Sequence, residues 1–461
     1  MEKENLKYLV LNKFLRKLSL RGGDIDYNTI EKISKIINLE ELDLAEYDKD
    51  FKGISKIINL EELDLAECNI SSGLIEPLET LIRLKKLNLS YNKNLDDKDF
   101  KGISKIINLE ELDLAECNIS SGLIEPLETL IRLKKLNLRY NKNLNSKDFK
   151  GISRMIRLQE LELYRCNLAG GLLEPLETLT RLKKLNLIFN KNLNSKDFKG
   201  ISGMISLQGL DLAEYNISSG LLGPLETPTN LKKLNLTYNE NLDDKDFKGI
   251  SGMINLQELS LFACDLSSGL LEPLKHLKDL RKLYHCDLSS GLLEPLKTLT
   301  NLRKLDLSYN KKLDDKDFVA ISEMINLEQL ELYHCDLSSG LLEPLETLIR
   351  LKKLNLSYNE NLDDKDFKGI SEMINLEQLE LYHCDLSSGL LEPLKTLKRL
   401  KKLDLSYNKK LDGKDFVAIS KIINLEQLEL YHCDLSSGLL EPLETLIRLK
   451  KLNLRYNQKI R

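Results

Sequence analysis

Leucine recurs along this chain in one fixed pattern, Leu-x-x-Leu-x-Leu-x-x followed by Asn or Cys. Leu376, Leu379 and Leu381 with Cys384 make one copy; Leu351, Leu354 and Leu356 with Asn359 make another. Side chains alternate across a strand, so Leu379 and Leu381 share one side while Gln378 and Glu380 face the other. The first leucines stand at Leu15, Leu39, Leu60, Leu84, Leu109, Leu133, Leu158, Leu182, Leu207 and Leu231, then at Leu256, Leu280, Leu302, Leu327, Leu351, Leu376, Leu400, Leu425 and Leu449. Their spacing alternates 25 and 24 residues, a 49-residue double repeat, except in shortened units at 39–59 and 280–301. Each short unit begins as one half-repeat and ends as the other, as an internal deletion in a tandem array would leave it. About two dozen residues cannot enclose a core, so every unit must bury its leucines against its neighbours. Residues 15–461 therefore read as one repeat domain, with 1–14 a short, degenerate N-terminal cap.

The segments that return from one strand to the next differ between half-repeats. In Asp363-Asp364-Lys365-Asp366-Phe367 through Ile374, acidic residues precede apolar positions Phe367, Ile370 and Ile374. This spacing predicts a short helix with carboxylates near its positive end. In the other half, Ser387-Ser388-Gly389 leads into LLEPLKTL, and Pro393 limits the element to a turn or two of helix.

These strand patterns, with Leu376, Leu379, Leu381, Cys384 and Leu386 in one half and Leu351, Leu354, Leu356 and Asn359 in the other, resemble the leucine-rich repeat family. The cysteine-bearing half is similar to the ribonuclease-inhibitor-like, cysteine-containing type; the asparagine-bearing half has one more residue before its next leucine and fits no single type. The resemblance implies an α/β fold: a curved horseshoe solenoid with a parallel concave sheet of about 19 short strands, and short helices or turns on the convex side. It implies a binding function without naming a ligand. At ~4.8 Å per strand such a stack would run ~90 Å.

Composition narrows the partners. Lys+Arg 68 against Asp+Glu 72 leaves a net charge of −4, so no overall field favours nucleic acid. The N-terminus, MEKENLKYLVLNKF, lacks a secretory h-region, and no apolar run approaches a membrane span. The expectation is a cytoplasmic protein without a membrane span, a secreted effector being the alternative. Neither end shows a recognisable polar cap, which leaves a monomer, an end-to-end dimer through uncapped ends, or a fragment of a longer protein.

Charges alternate from rung to rung: Lys85-Lys86 beside Glu110-Glu111 beside Lys134-Lys135. Opposite charges should then stack across the sheet, each pair worth only ~0.2–1 kcal/mol but opposing a slip of register. The same pairing neutralises the lysines and argues against a phosphate-binding ladder. All eight cysteines occupy the place of the alternate asparagines, pointing inward. Asn92, Asn141 and Asn190 should satisfy loop backbone groups there, while cysteine serves as a small buried apolar residue. Cys264 and Cys286, brought to adjacent rungs by the short unit, are in reach of a bridge in an oxidising setting; reduced and buried is the expected state. Neighbours such as His383 and Cys384 point to opposite faces, so no metal site is expected, nor any cofactor. No GxxxxGK[ST], HExxH or GxSxG motif is present, and an active site needs one unique cluster where this chain repeats everything. A non-enzyme is expected.

One feature changes along the chain. The two residues after the strand's last leucine are Ala66-Glu67 and Ala115-Glu116 early on, but later become Tyr284-His285, Tyr333-His334, Tyr382-His383 and Tyr431-His432. Ser308-Tyr309, Ser357-Tyr358 and Ser406-Tyr407 alternate with them, and Tyr456 ends the column. Tyrosine and histidine offer apolar area with a polar tip, which suits a partner-binding stripe beside the concave face; duplication of one Tyr-His rung would produce the same column. The function expected is a protein–protein interaction scaffold. The alternatives are the recognition arm of a host-directed effector or ubiquitin ligase, or an extracellular adhesin or receptor fragment, with the missing part outside this sequence.

Overall fold

The structure, a computed structural model, describes residues 12, 14–22, 27–47, 53–71, 74–217, 220–226, 230–264, 270–285 and 291–459. The chain forms two compact units, one made of residues 1–217 and 221–234, the other of 218–220 and 235–461. Among the described residues there are nineteen strands of three or four residues, and all the paired ones run parallel.

In the first unit the strands are β1 (Lys17–Ser19), β2 (Glu41–Asp43), β3 (Glu62–Asp64), β4 (Lys86–Asn88), β5 (Glu111–Asp113), β6 (Lys135–Asn137), β7 (Glu160–Glu162), β8 (Lys184–Asn186) and β9 (Gly209–Asp211), with β10 (Lys233–Asn235) at the boundary. In the second they are β11 (Glu258–Leu261), β12 (Lys282–His285), β13 (Lys304–Asp306), β14 (Gln329–Glu331), β15 (Lys353–Asn355), β16 (Gln378–Glu380), β17 (Lys402–Asp404), β18 (Gln427–Glu429) and β19 (Lys451–Asn453). Within each unit neighbouring strands pair in leucine register, Leu354 opposite Leu379 and Leu379 opposite Leu403.

The core lies between the strand leucines and the returning segments. Leu379 and Leu381 are fully buried, as are Phe367, Ile370 and Met373. The helix Asp364–Ser371 ends earlier than the apolar spacing suggests. A tight turn follows, with Met373 N donating to Ile370 O and Ile374 N to Glu372 O. That turn sends Met373 inward and leaves Ile374 55% exposed. In the other half-repeat, Pro393 sits in the first turn of a 3-10 helix, Glu392–Thr396, whose Thr396 Oγ1 donates to Ser371 O at 2.9 Å.

Two buried polar columns stitch the repeats. Asn359 Nδ2 donates to Leu332 O and Leu356 O at 2.8 Å, and its Oδ1 accepts from Cys335 N and Leu337 N at 3.1 and 3.2 Å. Asp366, also fully buried, accepts from Asp363 N at 3.0 Å to close a capping box, and from Gly340 N and Leu342 N of the preceding repeat at 3.0 and 2.9 Å. Asp148 and Asp197 repeat this clamp. The thiol of Cys384 donates to Leu356 O at 3.2 Å, so these cysteines add a weak polar tie to their apolar packing. Burial pushes Cys68, Cys117, Cys166, Cys335 and Cys384 up to about 12. Cys264 is likewise buried; Cys286, its prospective partner, lies outside the described residues. Two rungs carry tyrosine in place of cysteine: Tyr47 and Tyr215 are buried, and Tyr215 donates its hydroxyl to Leu193 O at 2.5 Å.

The alternating charges pair as the register requires. Lys85 meets Glu61 and Lys134 meets Glu110 at 2.7 Å; Lys352, Lys401 and Lys450 meet Glu328, Glu377 and Glu426 at 2.7, 2.8 and 2.8 Å.

Candidate protein-binding edge

The turn leaving each strand places the Tyr/His stripe. Where the strand ends in Asp or Asn, that side chain caps the turn: Ser357 N donates to Asn355 Oδ1 at 3.0 Å and Ser406 N to Asp404 Oδ1 at 2.9 Å. The next residue adopts left-handed backbone, with φ of 61° at Tyr358, 52° at His383, 63° at Tyr407 and 56° at His432. That conformation costs a non-glycine residue roughly 1–2 kcal/mol. Glu67 and Glu116 adopt it at the same place, so the turn imposes it whatever the side chain. Backbone bonds hold these residues in register past the strand ends: Tyr358 N donates to Tyr382 O at 2.8 Å, His383 N to Ser406 O at 2.9 Å and Tyr407 N to Tyr431 O at 2.8 Å.

Because the turns stack at strand spacing, their rings touch. Tyr309, Tyr333, Tyr358, Tyr382, Tyr407, Tyr431 and Tyr456 form an unbroken zigzag, each centroid 5.0–5.3 Å from the next. The histidines fill its gaps: His334 lies 5.5 Å from Tyr309, His383 stacks on Tyr358 at 5.0 Å and 12°, and His432 lies 4.9 Å from Tyr407. Tyr309 and Tyr456 are 48% and 65% exposed; the residues between them are half-buried. Burial, then the Tyr358 and Tyr407 phenols, push Tyr382 well above the ordinary tyrosine range.

Tyr284 and His285 depart from the stripe. In the short unit Cys286 stands six positions after Leu280, whereas Cys384 stands eight positions after Leu376. Strand pairing therefore puts Tyr284 opposite Ser260 and Asp306, and His285 opposite Leu261. Tyr284 stands on the strand face, with Lys304 Nζ 5.0 Å from its ring centre.

Other aromatic residues at the stripe position join in. Tyr238 contacts Phe262 at 5.8 Å, and Phe262 contacts Tyr309 at 6.3 Å across the short unit. In the first unit Tyr140, Tyr164 and Phe189 form a second, smaller cluster at 5.0 and 5.6 Å. All stand where Tyr358, Tyr382 and Tyr407 stand in their own repeats, so alignment of repeats finds them where counting tyrosine-histidine pairs does not. The strand face of β1 to β7 is different in character: it lines an open depression of ≈ 720 Å³ with eight carboxylates against three lysines.

An array of leucine-bearing parallel strands, buried asparagine and cysteine columns and capped return helices defines a repeat protein. Leucine-rich repeat family patterns match residues 59–81, 108–130, 227–251 and 298–322. Solved structures agree. An internalin (inlF) from Listeria monocytogenes superposes with a TM-score of 0.54 at 24% identity, covering 72% of this chain and 89% of its own. A leucine-rich repeat protein of Leptospira interrogans, LIC12759, gives 0.60 at 24% identity, covering 93% and 98%. TLR13, in its complex with ssRNA13, gives 0.66 at 20% identity, covering 97% and 77%. No curated protein sequence matches the chain. The chain has the leucine-rich repeat fold. No helix among the described residues is long and apolar enough to cross a membrane.

Proposed function

We propose that this protein is a non-enzymatic interaction scaffold, and that the Tyr/His ladder from Tyr309 to Tyr456 is the edge that grips a protein partner. The unbroken chain of ring contacts carries this reading: rigid half-buried aromatics supply contact area at small entropic cost and concentrate binding energy. The acidic strand face of the first unit adds long-range steering of a basic partner. Lysines held by glutamates on neighbouring rungs leave few free cations for a phosphate backbone, which favours a protein partner over nucleic acid. Exchange of Tyr358, His383 and Tyr407 for alanine should abolish partner capture from native lysate while leaving the circular dichroism spectrum unchanged. Capture at full strength by that folded variant would refute the proposal.

A further inference from the structure

The first unit shows what this turn geometry holds. Arg139 lies over the Tyr164 ring at 5.0 Å, and Arg165 lies 4.1 Å from the Phe189 centroid, 5.4 Å from Tyr164 and 5.9 Å from Tyr140. In the repeat, Arg139 occupies the place of Ser357 and Arg165 that of His383. Between residues 139 and 189 the chain thus supplies its own guanidinium groups to the rings. From Tyr309 to Tyr456 the rings keep the same spacing, and no arginine or lysine among the described residues lies over them.

Carboxylates flank this second ladder. Glu331, Glu380 and Glu429 each stand two residues before a ladder tyrosine, on the same strand face. Glutamine amides hold them, from Gln329, Gln378 and Gln427 at 2.6, 2.6 and 2.9 Å. The ion pairs of this face use the neighbouring Glu328, Glu377 and Glu426 instead. Equivalent rings recur every second rung, ~9.6 Å apart, and one turn of a polyproline II segment is ~9.3 Å.

We propose that the Tyr309–Tyr456 ladder takes arginine side chains from an extended segment of a partner protein, guanidinium planes stacking on the rings and pairing with Glu331, Glu380 and Glu429. The assignment rests on the ladder being the binding edge. It requires arginine over lysine, because the planar guanidinium stacks and binds carboxylate in a fork while an ammonium does neither.

The test is fluorescence anisotropy on the full chain with fluorescein-labelled (Arg-Pro-Pro)4 and (Lys-Pro-Pro)4. The arginine peptide should bind about tenfold tighter than the lysine peptide. Leucine at Tyr358, Tyr382 and Tyr407 together should weaken it about tenfold or more, whereas phenylalanine at the same three positions should change it less than about threefold. The phenylalanine variant separates loss of the ring from loss of the fold. Glu380→Gln with Glu429→Gln should weaken binding and flatten its salt dependence. Equal affinity for the two peptides, indifference to the leucine variant, or no binding would each overturn the arginine assignment. If arginine binding fails but a cellular partner is still captured in a ladder-dependent way, the binding edge stands without it; failure of both removes both.

Discussion

Asp366→Asn tests how adjacent repeats are held together. The carboxylate is fully buried and takes three backbone N–H groups: Asp363 and Gly340 on Oδ2, Leu342 on Oδ1. Asparagine keeps the shape but offers one acceptor oxygen and one amide donor. Whichever way it turns, at least one buried N–H faces another N–H. A hydrogen bond to a charged group contributes about 1.5–3 kcal/mol, and an unsatisfied buried donor costs about 1–3 kcal/mol; the two figures describe the same lost bond, so about 2–3 kcal/mol is expected. Asp366→Ala loses the capping box as well, and about 3–5 kcal/mol follows.

Native-state hydrogen exchange reads this at the bonds themselves. A loss of 2–3 kcal/mol corresponds to exchange faster on the order of 100-fold, centred on Gly340 and Leu342, with smaller effects in repeats further away because contacts run only between neighbours. Asp364→Asn is the control: it makes the same charge change on the same helix, but Asp364 is exposed, so only a helix-dipole effect of about 0.3–1 kcal/mol is lost. If Asp366→Asn leaves Gly340 and Leu342 as protected as in the parent, or matches Asp364→Asn, the clamp is not what joins these repeats.

Two further outcomes follow from the titrating groups. The buried Cys68, Cys117, Cys166, Cys335 and Cys384, pushed up to about 12 by burial, should resist alkylation at pH 8 in the folded protein and react fully in denaturant; mass mapping of modified sites checks this. Lys85 and Arg83 hold Glu61 below the usual carboxylate range, as Lys401 holds Glu377 and Lys450 holds Glu426. A lowered folded pKa means that the native state sheds its proton first, so this stabilisation is present above about pH 4.3 and lost as pH falls below it. Glu377→Gln should therefore lower the urea midpoint above that pH and have little effect well below it, the loss being smaller in 1 M salt; an equal loss at both pH values would contradict the assignment.

The fold was legible because burial repeats with a period. Leucine positions located all nineteen strands and both short units, and alternating lysine and glutamate pairs disclosed the register before any coordinates. The Asp366 clamp was legible only in part. Asp363-x-x-Asp366 is a capping-box pattern, but its bonds to Gly340 and Leu342 join residues 24 and 26 positions apart, and no local pattern reports those. Ile374 continues the apolar spacing past the helix end, where a tight turn exchanges it with Met373. Tyr284 and His285 share the letters of the later copies, but two missing residues set them on the strand, since pairing follows the leucines.

The same deletions leave a physical mark that tests the register argument at its weakest points. Elsewhere a lysine rung faces a rung of glutamate or glutamine, but a lost half-repeat brings two rungs of one kind together. In the first unit Glu41 stands opposite Glu62, and in the second Lys282 stands opposite Lys304. At both seams the like charges turn away from each other: Glu41 to Lys17 and Glu62 to Lys86, each at 2.6 Å, Lys282 to Glu258 at 3.5 Å, and Lys304 to the face of Tyr284. The seam is thus tolerated by borrowing partners from the outer rungs. Lys304→Glu restores the alternation, setting a carboxylate between Lys282 and the neutral Gln329 at the loss of one half-buried cation–ring contact. The gain from a cross-strand pair and from relief of like charges, each ~0.2–1 kcal/mol, should outweigh the ~0.5–1 kcal/mol of the lost contact only slightly. A rise in unfolding midpoint that disappears in 1 M salt is the expected result. Lys353→Glu, where Lys353 already faces Gln329 and Gln378, lacks a like-charge seam to relieve and should show no such rise; if both substitutions behave alike, charge alternation does not set the register of this sheet.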